Sequence, residues 1–206
     1  MLEDILEKWR RGTRGPLPQL TLLHLLNALL LVEREGPVGR RALAHALRIN
    51  DGIARGLLER LAEQGIVKVT EAGAKISPAG KTRLQKALRE ISVKKIVQLD
   101  QTELVPGKVS VGIHLAKSYR PGLTGITQRD EAVRAGADGS ITVAVKNGKL
   151  IMPPDERAVK GMSPKEDSRL QDRFNPSEGD LIIIGFAEDQ QRAMAGALAA
   201  VLSLTA

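Results

Sequence analysis

The chain has 206 residues, 42% of them hydrophobic and 27% charged, with a formal net charge of +7 and no cysteine. That length suits one large or two small globular domains, and the missing cysteines exclude disulfides, thiolate catalysis and cysteine-ligated zinc or iron–sulfur centres. Aromatics at 2% argue against a base-stacking platform for single strands, and the apolar runs at 20–32 and 193–204 are too short to cross a membrane.

The start, Met1-Leu-Glu-Asp, carries acids where a secretory signal needs a basic stretch, so the expected location is the cytoplasm. Charge is unevenly divided. Residues 1–95 hold 18 Lys+Arg against 10 Asp+Glu, and residues 96–206 hold 13 against 14. A polyanion is therefore drawn to the first half alone.

From Pro16 to Glu33, leucines at 17, 20, 22, 23, 25, 26, 29, 30 and 31 predict a helix apolar on more than one side, a core helix or a dimer seam. Gly36-Pro37 ends it. A short helix follows from Arg40, with Leu43, Ala46 and Leu47 on one face, and Arg48-Ile-Asn-Asp-Gly makes a tight turn. Asn50 caps a third helix, Asp51 to Gln64, whose buried stripe is Ala54, Leu57, Leu58 and Leu61 and whose stop is Gly65. Ile66 to Thr70 and Lys75-Ile-Ser alternate across Glu71-Ala-Gly as a hairpin, and Pro78 opens a fourth helix to about Ile91.

Helix, short helix, tight turn, helix, hairpin, helix is the pattern of a winged helix-turn-helix domain. The stretch from Leu43 to Val67 resembles the helix-turn-helix of many prokaryotic winged-helix regulators, and Ile76-Ser-Pro-Ala-Gly-Lys looks like a wing entering the last helix. The whole chain resembles a family of mainly archaeal winged-helix proteins with a second domain of unknown function. The segments that carry this resemblance are Asn50-Asp-Gly-Ile-Ala-Arg-Gly-Leu-Leu, Arg129-Asp-Glu-Ala-Val-Arg-Ala-Gly-Ala-Asp-Gly and Gly179-Asp-Leu-Ile-Ile-Ile-Gly-Phe-Ala. The resemblance implies an α+β protein with a DNA-binding domain at 1–93 and a second α+β domain, with a central sheet, at 94–206.

In that second half, Val109 to Leu115 alternates as a strand with Val109, Val111, Ile113 and Leu115 on one face. Thr127-Gln-Arg-Asp reads as a capping box opening a helix to about Ala135. Ser140 to Met152 is a hairpin about Asn147-Gly148. Residues 153–179 read as a long polar loop. Leu181 to Phe186, apolar on both faces, belongs in mid-sheet, and an Ala-rich helix from Glu188 to about Leu204 permits close approach to a sheet or a partner helix.

A recognition helix presents its solvent side to the major groove. Here that side, with the capping turn, offers Asn50, Asp51, Ile53, Arg55, Glu59 and Arg60. Arg55 suits a bidentate contact to guanine and Ile53 a thymine methyl. Arg40, Arg41, Lys68, Lys75, Lys81 and Arg83 are placed to meet phosphates. Two glycines and two acids make the reading head sparse, which keeps a protein-binding winged helix as an alternative.

Ser118-Tyr119-Arg120-Pro-Gly-Leu-Thr-Gly125 leads into the helix begun by Thr127, and with Arg129 it is a candidate cradle for a small anionic effector. Asp138 and His114 are further candidates to line a ligand pocket. His24 reads as a packed core residue, His45 as surface, and Glu166, Asp167 and Asp172 as solvated. No histidine spacing suits a metal, no cofactor fingerprint is present, and no Ser-His-Asp order, phosphate loop or dinucleotide motif supports catalysis. The expected protein is a non-enzymatic regulator of double-stranded DNA, homodimeric and without a membrane partner. The rival readings are an interaction module, and a small-molecule enzyme fused to a winged helix.

Overall fold

The computed structural model describes residues 20–99 and 102–205. The chain divides into two compact units between Ala87 and Leu88. The expected start of the first helix at Pro16, with Leu17, lies outside the described residues.

In the first unit, helix α1 (Leu22–Glu35) buries a continuous run from Leu25 to Val32, as its leucines on several sides require. Helix α2 (Arg40–Leu47) buries Leu43, Ala44 and Leu47, with Ala46 only half-buried. Helix α3 (Asp51–Glu63) buries Ala54, Leu57, Leu58 and Leu61, the expected stripe. Its N-cap is Asn50, whose Oδ1 accepts the Ile53 N–H at 2.8 Å. Strands β1 (Val67–Thr70) and β2 (Gly73–Ile76) pair antiparallel, and a bridge between Val38 and Ala74 joins the α1–α2 linker to the hairpin. Helix α4 (Pro78–Glu90) follows the hairpin. The Ser77 hydroxyl ties the two together, donating to the Gly65 carbonyl at 2.6 Å and accepting the Gly80 N–H at 2.9 Å.

The second unit is built on a six-stranded antiparallel sheet in the order β3-β4-β8-β5-β6-β7. Its strands are β3 (Val93–Leu99), β4 (Val109–Leu115), β5 (Gly139–Lys146), β6 (Lys149–Met152), β7 (Arg157–Ala158) and β8 (Leu181–Ala187). The hydrophobic β8 lies between β4 and β5, the mid-sheet place its sequence demands. Helices α5 (Ile126–Arg134) and α8 (Gln190–Leu202) cover one face. Gly185 of β8 makes the close approach possible, since a Cβ there would stand 2.5 Å from the Ala193 carbonyl oxygen and from the Ala197 nitrogen.

The other face is covered by α6 (Val159–Met162) and α7 (Pro164–Phe174), whose Val159, Leu170 and Phe174 pack with Val143, Val145, Ile182 and Ile184. These elements correct the expectation of a long loop at 153–179. The helix α7 buries only Glu166, Leu170 and Phe174, spaced by four, amid polar residues. That stripe suffices because Ser163 caps the helix and accepts the Glu166 N–H at 3.0 Å, with Pro164 in the first turn.

Two further expectations are corrected. Helix α5 is capped by Gly125 in the left-handed region (φ 78°), and Thr127 lies inside the first turn instead of at the cap. Glu166 is buried rather than solvated, and its Oε2 accepts the Glu103 N–H at 3.0 Å. Asp172 is exposed and Asp167 half-buried.

Candidate nucleic-acid interface

Two helices and a hairpin position the basic side chains of the first unit. The turn between α2 and α3 reverses at Arg48, exposed and in the left-handed region at φ 54°. Arg48, which the sequence marks only as part of a tight turn, is an exposed cation between the two helices and joins the other basic candidates of this unit. The side chain of Asn50 is engaged as the cap of α3, so its chemistry is spent on the fold. Asp51 meets Arg40 across the turn at 3.3 Å, both about half exposed.

On the outward side of α3, Arg55 is 65% exposed and pairs with Glu59 one turn on at 2.8 Å. Exposed helical pairs of this kind contribute only about 0.3–0.5 kcal/mol, whereas a bidentate Arg–guanine contact discriminates by about 1–3 kcal/mol. Arg55 can therefore exchange Glu59 for a base at small cost. Ile53 and Arg60 are half-buried beside it, and Arg60 is held by other contacts.

In the hairpin, Lys68 and Lys75 are direct cross-strand partners, both exposed, so the wing carries two adjacent ammonium groups. Arg41 is exposed, Arg83 is half-buried, and Lys81 pairs with Glu33 of α1 at 3.4 Å. The sequence-expected contacts thus sort into Lys68, Lys75 and Arg41, exposed and without an ion pair among the described residues, one readily released arginine on α3, and groups already engaged in the fold.

In the second unit, Tyr119, Arg120, Gly125, Thr127 and Arg129 occupy one loop and the helix it enters. The Tyr119 N–H donates to the Gly179 carbonyl at 3.0 Å, and the Leu123 N–H closes a turn on the Arg120 carbonyl at 3.2 Å. Arg120 is exposed and forms no ion pair among the described residues. Arg129 pairs with its neighbour Asp130 at 2.9 Å. His114 and Asp138 lie apart from each other. His114 is opposite Ile182 on β8, whereas the Asp138 N–H bonds the Phe186 carbonyl, four residues further along that strand and about 13 Å away.

His114 is buried, its Nε2 lying 2.8 Å from Asp180 Oδ2 and its ring packed edge-on to Phe174. It is a packed pair member and not a pocket lining. Asp138 is exposed and held by Lys108 at 2.8 Å and Arg192 at 3.4 Å. Its carboxyl lies below the usual carboxylate range because Lys108 donates to it. His24 is half-buried at the start of α1, where its Nδ1 accepts the Thr21 N–H at 3.2 Å and so serves as part of a cap. Among the described residues, no group of three or more His, Asp or Glu is arranged to hold a metal, and no helix is long and apolar enough to cross a membrane.

Residues 25–91 match the family described as the CggR N-terminal DNA binding domain, and residues 106–204 match a domain of unknown function (DUF4443). The first match covers α2, α3, the wing and α4, and most of α1. A hypothetical protein from Pyrococcus horikoshii OT3 of known structure is similar, with a TM-score of 0.70 and 24% identity over 91% of this chain and 94% of its own. That likeness is one of fold. No curated protein matches the sequence.

Proposed function

We propose that the protein is a DNA-binding transcriptional regulator whose first unit contacts duplex DNA and whose second unit binds a small effector and joins two copies. The match of residues 25–91 to a DNA-binding domain family carries this reading. The confinement of basic excess to the same half supports it, because phosphate contacts supply most of the affinity for any duplex.

In this reading α3 lies in the major groove and Arg55 leaves Glu59 to contact a guanine edge. Lys68, Lys75, Arg40 and Arg41 meet the phosphates on either side and fix the register of the helix. The second unit sets the spacing between two recognition helices. An effector alters that spacing only in so far as it binds the two arrangements with different affinity. No catalytic step is assigned to either unit.

The test is fluorescence-anisotropy binding of the whole chain to its own upstream DNA and to scrambled DNA of the same length, across a salt series. A preference of roughly 10³ or more for the upstream fragment, with log affinity linear in log salt, supports sequence-specific regulation. Equal, weak binding to both overturns it in favour of a protein-binding module. That alternative draws on one observation: Asp51 and Glu59 hold two of the arginines of an already sparse reading head.

A further inference from the structure

Helix α5 faces its own unit with its smaller and more polar side. It buries only Gln128 and Ala132, and Gln128 is held there by its Nε2 donating to the Ser203 hydroxyl at 3.0 Å. The two large aliphatic side chains of the helix stand outward instead, Ile126 53% and Val133 51% exposed. A surface helix ordinarily turns its largest apolar groups inward, and helical propensity does not favour β-branched residues at exposed positions. The outward side of α5 thus has the composition of a face meant for burial.

Ile126, Arg129, Asp130 and Val133 follow the i, i+3, i+4, i+7 spacing of one helical face. Arg129 and Asp130 pair with each other at 2.9 Å, their side chains 60% and 48% exposed, and an exposed pair of this kind exchanges partners at small cost. The helix carries two arginines, Arg129 and Arg134, and two acids, Asp130 and Glu131, so it has no excess charge to draw a nucleic acid or an anionic membrane. Its pattern is instead complementary to itself. The point midway between 126 and 133 is also the point midway between 129 and 130. Two such helices laid antiparallel about a two-fold axis at that point bring Ile126 to the partner's Val133 at both ends and Arg129 to the partner's Asp130 twice in the middle. The apolar match and the charge match are independent, and they require the same axis.

We propose that this face of α5 is the surface on which a second copy of the chain docks, antiparallel and isologous. A pair of nine-residue helices buries less than about 1,200 Å², the range of weak and reversible assemblies. The dimer therefore forms at high concentration, or where two copies are held on one duplex and the second contact becomes intramolecular. This inference deepens the reading above, in which the second unit joins two copies. It rests on that reading for the purpose of the dimer, not for its existence.

Sedimentation equilibrium of the whole chain over a concentration series should show a monomer and dimer in exchange. Val133→Glu sets a carboxylate against the partner's Ile126, and Arg129→Asp sets like charges across the axis, so each should weaken the dimer about tenfold. Arg129→Asp combined with Asp130→Arg restores the alternation of charge and should return the affinity to near the native value. These side chains are about half exposed or more, and far-UV circular dichroism checks that each variant keeps the fold. The chain has no cysteine, so introduced thiols report the register. A mixture of Ile126→Cys and Val133→Cys chains should be joined by a short thiol cross-linker where either variant alone is not.

The proposal is overturned by a chain that stays monomeric throughout the series, by a dimer that Val133→Glu leaves intact, or by cross-linking as efficient within either variant alone as in the mixture. A dimer through α5 without selective DNA binding leaves the surface standing and removes the regulator reading. Selective DNA binding by a chain whose copies do not meet at α5 does the reverse.

Discussion

His114 Nε2 and Asp180 Oδ2 lie 2.8 Å apart, with side chains 3% and 0% exposed, at the end of the sheet where β4 meets β8. The Asp180 carboxylate also accepts the Lys117 N–H at 2.9 Å, the Ser177 N–H at 3.0 Å and the Lys94 ammonium at 3.0 Å. Burial pushes the carboxyl up, but the backbone donors, Lys94 and His114 outweigh it and hold the group well below the usual carboxylate range. A depressed carboxyl contributes stability that is present above its unfolded value of about 4 and is lost as pH falls below it. Asp180→Asn should therefore cost about 3 kcal/mol at pH 7 in urea unfolding, with the gap to the native chain narrowing below pH 4. A constant gap at both pH values would show that shape, not charge, is what the position requires.

His24 offers a second pH dependence of the same sign. Its Nδ1 accepts the Thr21 N–H, which requires that nitrogen to be unprotonated, and burial pushes the imidazole pKa down. The unfolded chain then binds the proton more readily, so stability is full above about pH 6.5 and falls as the pH drops below it. His24→Gln preserves the reach of a capping-box side chain without titrating. Thermal melts at pH 5 and pH 7 should show a histidine-dependent loss of up to about 1 kcal/mol in the native chain and none in the variant.

Gly185→Ala probes the packing of α8 on the sheet. The added methyl would meet backbone atoms of Ala193 and Ala197 at 2.5 Å, and backbone cannot turn aside as a side-chain tip can. The helix must lift, at a cost of about 2 kcal/mol, read as a lowered urea midpoint. An unchanged midpoint would mean that α8 slides freely over β8.

The wing lysines and Arg55 should separate in their effects on DNA. Replacing Lys68 and Lys75 together with alanine removes two adjacent ammonium groups, so the slope of log affinity against log salt should fall by about 2 on specific and scrambled duplexes alike. Alanine at Arg55 and Arg60 should instead weaken upstream DNA by more than scrambled DNA. Equal losses on both fragments would mean that α3 does not read sequence.

Much of the fold was legible locally. The Asn50 cap, the stripe from Ala54 to Leu61, the Asn147-Gly148 turn and the apolar β8 all depend on residues within a few positions of one another, and the structure has them where the periodicity placed them. The helix α7 is faint in the sequence because its apolar stripe is only two residues, Leu170 and Phe174, although Ser163-Pro-Lys-Glu166 is a capping-box spacing that marks its start. The Thr127 hydroxyl suits a cap, but Gly125, two residues earlier, takes the left-handed conformation that ends the loop.

The candidate sites divide along the same line. Composition and order along the chain were enough to place the basic excess in a winged-helix unit and to single out Arg55 and the wing lysines, because charge and helical period are properties of the sequence itself. Only the tertiary structure decided that His114 is spent on Asp180, 66 residues away, and that Glu166 is buried. Those relations follow from the strand order β3-β4-β8-β5, in which distant segments become neighbours. Whether a polar group is solvated or paired depends on what that register lays beside it.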